Sequence, residues 1–133
     1  MKLSVIEGIG ESYQAKLFAA GVRSMAALLV RGAKGKGRQE LAEATGISGK
    51  LILEWINHAD LMRVKGIGPE YADLLEEAGV DTVAELAQRK PENLFAKLGE
   101  VNQARKLVRK LPTLKQVQGW VEQAGALPRL VEY

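Results

Sequence analysis

Apolar residues in this chain recur at helical spacing and almost nowhere alternate. From Leu51 the set Leu51, Ile52, Trp55, Ile56 and Ala59 falls on one stripe of a helix. β-Branched residues are scattered and no alternating run persists, so no strand is predicted. The apolar stripes, with their start and stop signals, predict helices over residues 11–20, 24–31, 38–45, 49–60, 69–78, 82–88, 91–99, 102–110 and 113–124. Thr82 with Glu85 forms a Thr-x-x-Glu capping box, and Thr113 with Gln116 offers the same arrangement. Pro69 and Pro91 stand where first-turn prolines are tolerated. Gly21 and Gly79 each follow an apolar helix and precede valine, as left-handed C-cap glycines do. The expected class is all-α, with eight or nine short helices in one compact bundle.

The pattern is also duplicated. Residues 64–87 repeat residues 6–29 without a gap, and ten of the 24 aligned positions are identical. They include Gly8-Ile9-Gly10 against Gly66-Ile67-Gly68, Tyr13 against Tyr71, and Gly21-Val22 against Gly79-Val80. Trp55-x-x-x-Ala59 and Trp120-x-x-x-Ala124 end the two copies alike, at an offset of 65 rather than 58. The second copy therefore carries about seven extra residues, placed within Asn102–Leu111. A first unit over residues 1–62, a second over 63–124 and a tail over 125–133 follow from this register. The tail reads as a poorly ordered end or a docking strap.

Composition narrows the chemistry. The chain has no cysteine, which excludes disulfides, thiolate nucleophiles and thiolate-bound metals. It shows neither a signal-peptide run nor a membrane-length apolar stretch, so a cytoplasmic protein is expected. The net charge of +3 is too small to argue for nucleic acid by itself. Its distribution says more. Residues 31–38 carry four positive charges and no negative one, and residues 88–115 carry eight positive against two negative. Residues 69–87 carry six acids and no base.

The Gly-Ile-Gly runs predict tight turns held by glycine at both flanks, with Ile9 and Ile67 pointing into the core. Such a turn aims the first N–H groups of the next helix outward, a small anion site suited to phosphate. The runs resemble the helix-hairpin-helix motif, hydrophobic-Gly-hydrophobic-Gly. The whole chain, over roughly residues 6–124, is similar to the domain of unknown function 4332 family. That family's pattern GIGPxYAxLLxxAGVxTVxEL is matched here, along with the phrases LAEATGIS, WINHADL and RKPENL. The resemblance implies an all-α tandem helix-hairpin-helix fold and, by analogy, nucleic-acid binding. Hairpins that grip DNA usually place Lys or Arg soon after the second glycine. Here the first copy has Glu11, with Lys16 the nearest downstream base. The second has Pro69, Glu70, Asp73, Glu76 and Glu77, with Lys65 ahead of the turn. Carboxylates at a helix N-terminus repel a phosphate, so the first hairpin is expected to be the better site, although only Met1–Val5 precede it. Alternatively, both hairpins are structural turns of a repeat scaffold.

Other basic positions complete the candidate set. Arg31, Lys34, Lys36 and Arg38 lie among three glycines and read as a flexible basic loop; no strand and no Gly-Lys-Ser/Thr ending support a P-loop there. Arg105, Lys106, Arg109 and Lys110 are spaced to share one face of the helix expected over 102–110, opposite Leu107, Val108 and Leu111. Each group can equally be a solvated face. Residues 39–56 also resemble a helix-turn-helix that would present Ser48, Gly49, Lys50, Leu53, Glu54 and Asn57 to a groove, a poor set for reading bases. His58 is the only histidine, so neither a histidine metal cluster nor an acid–base pair is available, and an interhelix or surface role is expected. Asp60, Asp73, Glu76 and Glu77 lack a consistent liganding spacing. Trp55 and Trp120 read as core anchors, and Tyr13 and Tyr71 as packing under the hairpins.

These residues point to a non-catalytic protein without cofactor or metal that binds nucleic-acid backbone independently of sequence. The hairpins Gly8-Ile9-Gly10 and Gly66-Ile67-Gly68 would supply backbone donors, and the basic residues named above the charge. The rival expectation is an interaction or self-assembly module, in which the acidic 69–87 face meets a basic protein or the 88–115 face of another copy.

Overall fold

The computed structural model describes residues 2–133; Met1, the expected first residue of the first unit, lies outside the described residues. A 3-10 turn at Leu3–Val5 precedes α1 (Glu11–Ala19), α2 (Met25–Gly32), α3 (Gly35–Thr45) and α4 (Gly49–Leu61). There follow α5 (Pro69–Glu77), α6 (Val83–Ala87), α7 (Pro91–Arg105) and α8 (Leu114–Ala126). No strand occurs among the described residues, and the all-α class with eight helices agrees with the sequence pattern. The chain divides into two compact units. One runs to Asp60 and takes in Leu130–Tyr133; the other is Leu61–Arg129.

Helix ends follow their capping residues. Ser24 accepts from the Ala27 N–H at 3.1 Å to start α2. Thr113 and Gln116 make the full reciprocal box at α8, with bonds of 3.1 and 2.8 Å. The Thr82 box is half made: Thr82 accepts from the Glu85 N–H, but Glu85 reaches back to the Asp81 N–H at 3.4 Å. Gly21 (φ +87°) and Gly79 (φ +90°) close α1 and α5. In each case the following valine N–H bonds back to a leucine carbonyl five residues earlier, at 2.9 Å, which is the Schellman pattern.

In the first unit α2 and α1 pack on α3, and Leu17, Leu28, Leu41, Ile52, Trp55 and Ile56 are buried. Each such side chain contributes roughly 1.5–3 kcal/mol relative to exposure. The basic stretch 31–38 is not a flexible loop. Its second half is the first turn of α3, and its glycines serve close packing: a Cβ on Gly37 would collide with the Arg31 carbonyl oxygen. Arg38 is only 8% exposed. Its guanidinium donates to the carbonyls of Gly32 (2.8 Å), Ala33 (3.1 Å) and Glu132 (2.8 Å). The end of the chain is strapped down by this contact, by the Glu132 N–H on the Ala33 carbonyl at 2.7 Å, and by buried Val131.

In the second unit α8 packs on α6 and α7, and α5 packs on α7. Leu74, Leu75, Leu86, Leu94, Leu98, Val117 and Trp120 form its core. The expected helix over 102–110 does not exist. One helix, α7, continues to Arg105, Lys106 caps it in the left-handed region (φ +51°), and the chain stays non-helical to Thr113. Here lie the additional residues of the second copy. α7 ends 60 residues after α3 rather than 58, and eight residues rather than three separate it from the next helix. Trp55 and Trp120 are then each the seventh residue of a 13-residue helix.

Candidate nucleic-acid interface

The two Gly-Ile-Gly turns share one backbone design. The central isoleucine N–H bonds to the carbonyl three residues earlier at 3.2 Å, Ile9 to Ile6 and Ile67 to Val64, and all four side chains are buried. The first glycine is the one that must be glycine. Gly8 has φ +90° and Gly66 φ +97°, and each faces the indole nitrogen of its unit's tryptophan. A Cβ on Gly8 would lie 3.4 Å from Trp55 Nε1; on Gly66 it would lie 3.0 Å from Trp120 Nε1. Each tryptophan also packs on the repeated tyrosine, with centroids 5.1 Å apart for Tyr13–Trp55 and 5.2 Å for Tyr71–Trp120.

The second glycine behaves differently from the sequence expectation. Gly10 (φ −86°) and Gly68 (φ −93°) adopt ordinary extended backbone as N-caps of α1 and α5, and a Cβ at either would meet nothing within 4 Å. Neither conformation nor protein packing demands glycine there. Both helices begin without a side-chain cap, so their first-turn N–H groups face outward: Glu11, Ser12 and Tyr13 in α1, Glu70 and Tyr71 in α5, where Pro69 has none.

What surrounds the turns separates them. The first opens into a depression lined by residues 4–10, whose only charged member is Glu7. The second opens into a depression of about 400 Å³ lined by Gly66, Gly68, Pro69, Glu70 and Tyr71 together with Arg109 and Lys110. The basic segment crosses the mouth of the second hairpin because three anchors hold it. Asn102 brackets Val108, accepting its N–H at 2.9 Å and donating to its carbonyl at 3.1 Å. The Tyr71 hydroxyl donates to the Lys110 carbonyl at 3.0 Å. Val108 and Pro112 are buried. The hairpin is fixed from its other side by Gln123, whose amide accepts from the Lys65 N–H (3.1 Å) and donates to the Lys65 carbonyl (3.3 Å).

The chain belongs to the family described as Domain of unknown function (DUF4332), whose model matches residues 7–127. No curated protein and no solved structure matches it.

The remaining candidate residues are dispersed. Lys16 lies 5.9 Å from the centroid of the Tyr13 ring on the exposed side of α1. Arg31 donates to the Ala20 carbonyl at 3.0 Å. Lys34 and Lys36 are exposed and line a separate depression with Glu40, and Lys34 lies 4.0 Å from the Glu132 carboxylate. Arg38 is a buried structural cation and presents no charge to a ligand. Arg105, Lys106, Arg109 and Lys110 do not share a helical face: Arg105 alone is helical and pairs with Glu77 at 2.9 Å. Asp73, Glu76 and Glu77 gather their carboxylates within 4.8 Å of one another on α5, where Glu77 is the partner of Arg105. Gly46 (φ +72°) turns the chain between α3 and α4, and Asn57 is buried at 6% exposure, so α4 cannot present it to a groove. His58 is buried too, at 1%. No helix among the described residues is long and apolar enough to cross a membrane.

Tyr71 and Asn102 were not among the sequence candidates for the site. Tyr71 stands out in the sequence only as a repeated tyrosine, and Asn102 only as the first residue of the span expected to hold the insertion.

Proposed function

We propose that the chain is a non-catalytic cytoplasmic protein that binds nucleic-acid backbone without sequence preference, through the second of two helix-hairpin-helix-type turns. The observation that carries this reading is the convergence of Arg109 and Lys110 on the depression in front of Gly68 and the start of α5. Two exposed cations and a helix N-terminus facing one space suit a phosphate, and a glycine whose Cβ nothing opposes leaves room for it. The repeated tyrosines support a backbone contact over a stacking one, since each is half-buried and packed on a buried tryptophan.

Titrating short duplex and single-stranded DNA into the protein at low and moderate salt tests the proposal, with R109A/K110A as the comparison. The wild type binds both, losing affinity steeply with salt. The variant binds about tenfold more weakly at low salt, and its log K against log salt slope is shallower by about two. Absence of binding at low salt, together with a salt-dependent dimer in light scattering, would instead favour self-assembly through the acidic α5–α6 face. In the second unit one pair from those two faces is already closed in cis, Arg105 on Glu77.

A further inference from the structure

The additional residues of the second copy do more than lengthen it, and the anchors that hold them identify what they do. Residues 106–113 form no helix, yet their path is fixed: Asn102 takes both backbone groups of Val108, and the Tyr71 hydroxyl takes the Lys110 carbonyl. Tyr71 stands in the first turn of α5, three residues past Gly68, so this bond ties the cationic segment directly to the hairpin. The equivalent Tyr13 packs on its tryptophan in the same way, but its hydroxyl makes no hydrogen bond among the described residues. Packing therefore explains the ring in both copies, whereas the hydroxyl has a structural partner only where the insertion exists.

We infer that Tyr71 and Asn102 are positioning residues for nucleic-acid binding: they hold the segment of Lys106–Pro112 so that Arg109 and Lys110 face the second hairpin. This rests on the proposed binding function. Arg109 and Lys110 follow a stretch with no helical hydrogen bonds of its own, and free cations on such a stretch sample many directions. Two backbone anchors, one on each side of Arg109, restrict them to one, which lowers the ordering cost of binding.

Y71F separates positioning from folding because it keeps the ring on Trp120 and removes only the hydroxyl. Its melting temperature should stay close to that of the wild type, since the bond is solvent-exposed. At low salt its affinity for a short DNA duplex should fall several-fold, with a salt slope shallower by about one. In an R109A/K110A background the same substitution should change nothing, because the groups it positions are gone. N102D, which keeps the acceptor for the Val108 N–H and loses the donor, should behave like Y71F, and N102A should be weaker still. If R109A/K110A weakens binding while Y71F and N102D match the wild type in affinity and slope, positioning is overturned and the binding function stands. Equal losses from Y71F in both backgrounds overturn it as well. If R109A/K110A itself binds like the wild type, the binding function falls first and positioning with it.

Discussion

The two hairpins differ far less in their turns than in what stands beside them. Both place a left-handed glycine against a tryptophan indole, bury an isoleucine and open on an uncapped helix. Judged by nearby sequence, the first is the better phosphate site because fewer acids follow it. In space the charges are distributed differently. The first faces Glu7 with no cation in its depression; Lys16 lies over the Tyr13 ring, Arg31 donates to the Ala20 carbonyl and Arg38 is held in the interior. The second receives Arg109 and Lys110 from 41 and 42 residues beyond Gly68. A duplicated turn thus supplies geometry twice, while an insertion of a few residues supplies charge once.

The largest effect expected from breaking this contrast is in the first unit. Arg38→Ala removes the guanidinium from the buried Gly32 carbonyl and from the half-buried Glu132 and Ala33 carbonyls, the last of which keeps the Glu132 N–H, and should lower stability by about 2–3 kcal/mol in chemical denaturation. Its affinity for DNA, measured below the unfolding range, should not change. A weakening of binding at unchanged stability would return Arg38 to the interface. Next come the left-handed glycines. Gly66→Ala combines a strained φ with a Cβ pressed on Trp120 and should cost about 2–3 kcal/mol. Gly8→Ala carries only the strain, about 1–2 kcal/mol. Equal costs would show that the tryptophan contact is not what distinguishes them. The smallest effects on stability belong to Gly10→Ala and Gly68→Ala, each within about 0.5 kcal/mol, as nothing opposes the new methyl. Gly68→Ala should nevertheless weaken DNA binding several-fold, and Gly10→Ala should not; matching affinities would contradict the assignment of the site to one hairpin.

Much of this architecture is legible in the sequence. The repeat register, the cap at Thr113, the glycine-ended helices and the buried isoleucines all follow from local rules that the tertiary structure respects. The misread regions are those where tertiary contacts decide between equivalent local choices. Leu107, Val108 and Leu111 fit a helical stripe as well as they fit a pinned extended segment. The choice falls to Asn102 capturing Val108 and to the burial of Pro112, and Lys106 at φ +51° carries no glycine or asparagine to announce the helix end. The glycines of residues 32–37 look like a flexible loop, because the close approach they serve, Gly37 against Arg31 and Gly32 against Ile56, involves partners that composition cannot reveal. For the site itself, the sequence marks the turns and the cations separately, and only the fold joins Gly68 to Lys110.

Amide chemical-shift mapping during titration of a short DNA duplex at low salt tests this asymmetry most directly. The amides of Gly66, Gly68, Glu70, Tyr71, Arg109 and Lys110 should shift together, with those of Gly8, Gly10, Glu11 and Ser12 staying in place. Equal shifts at both hairpins, or shifts confined to the first, would contradict it.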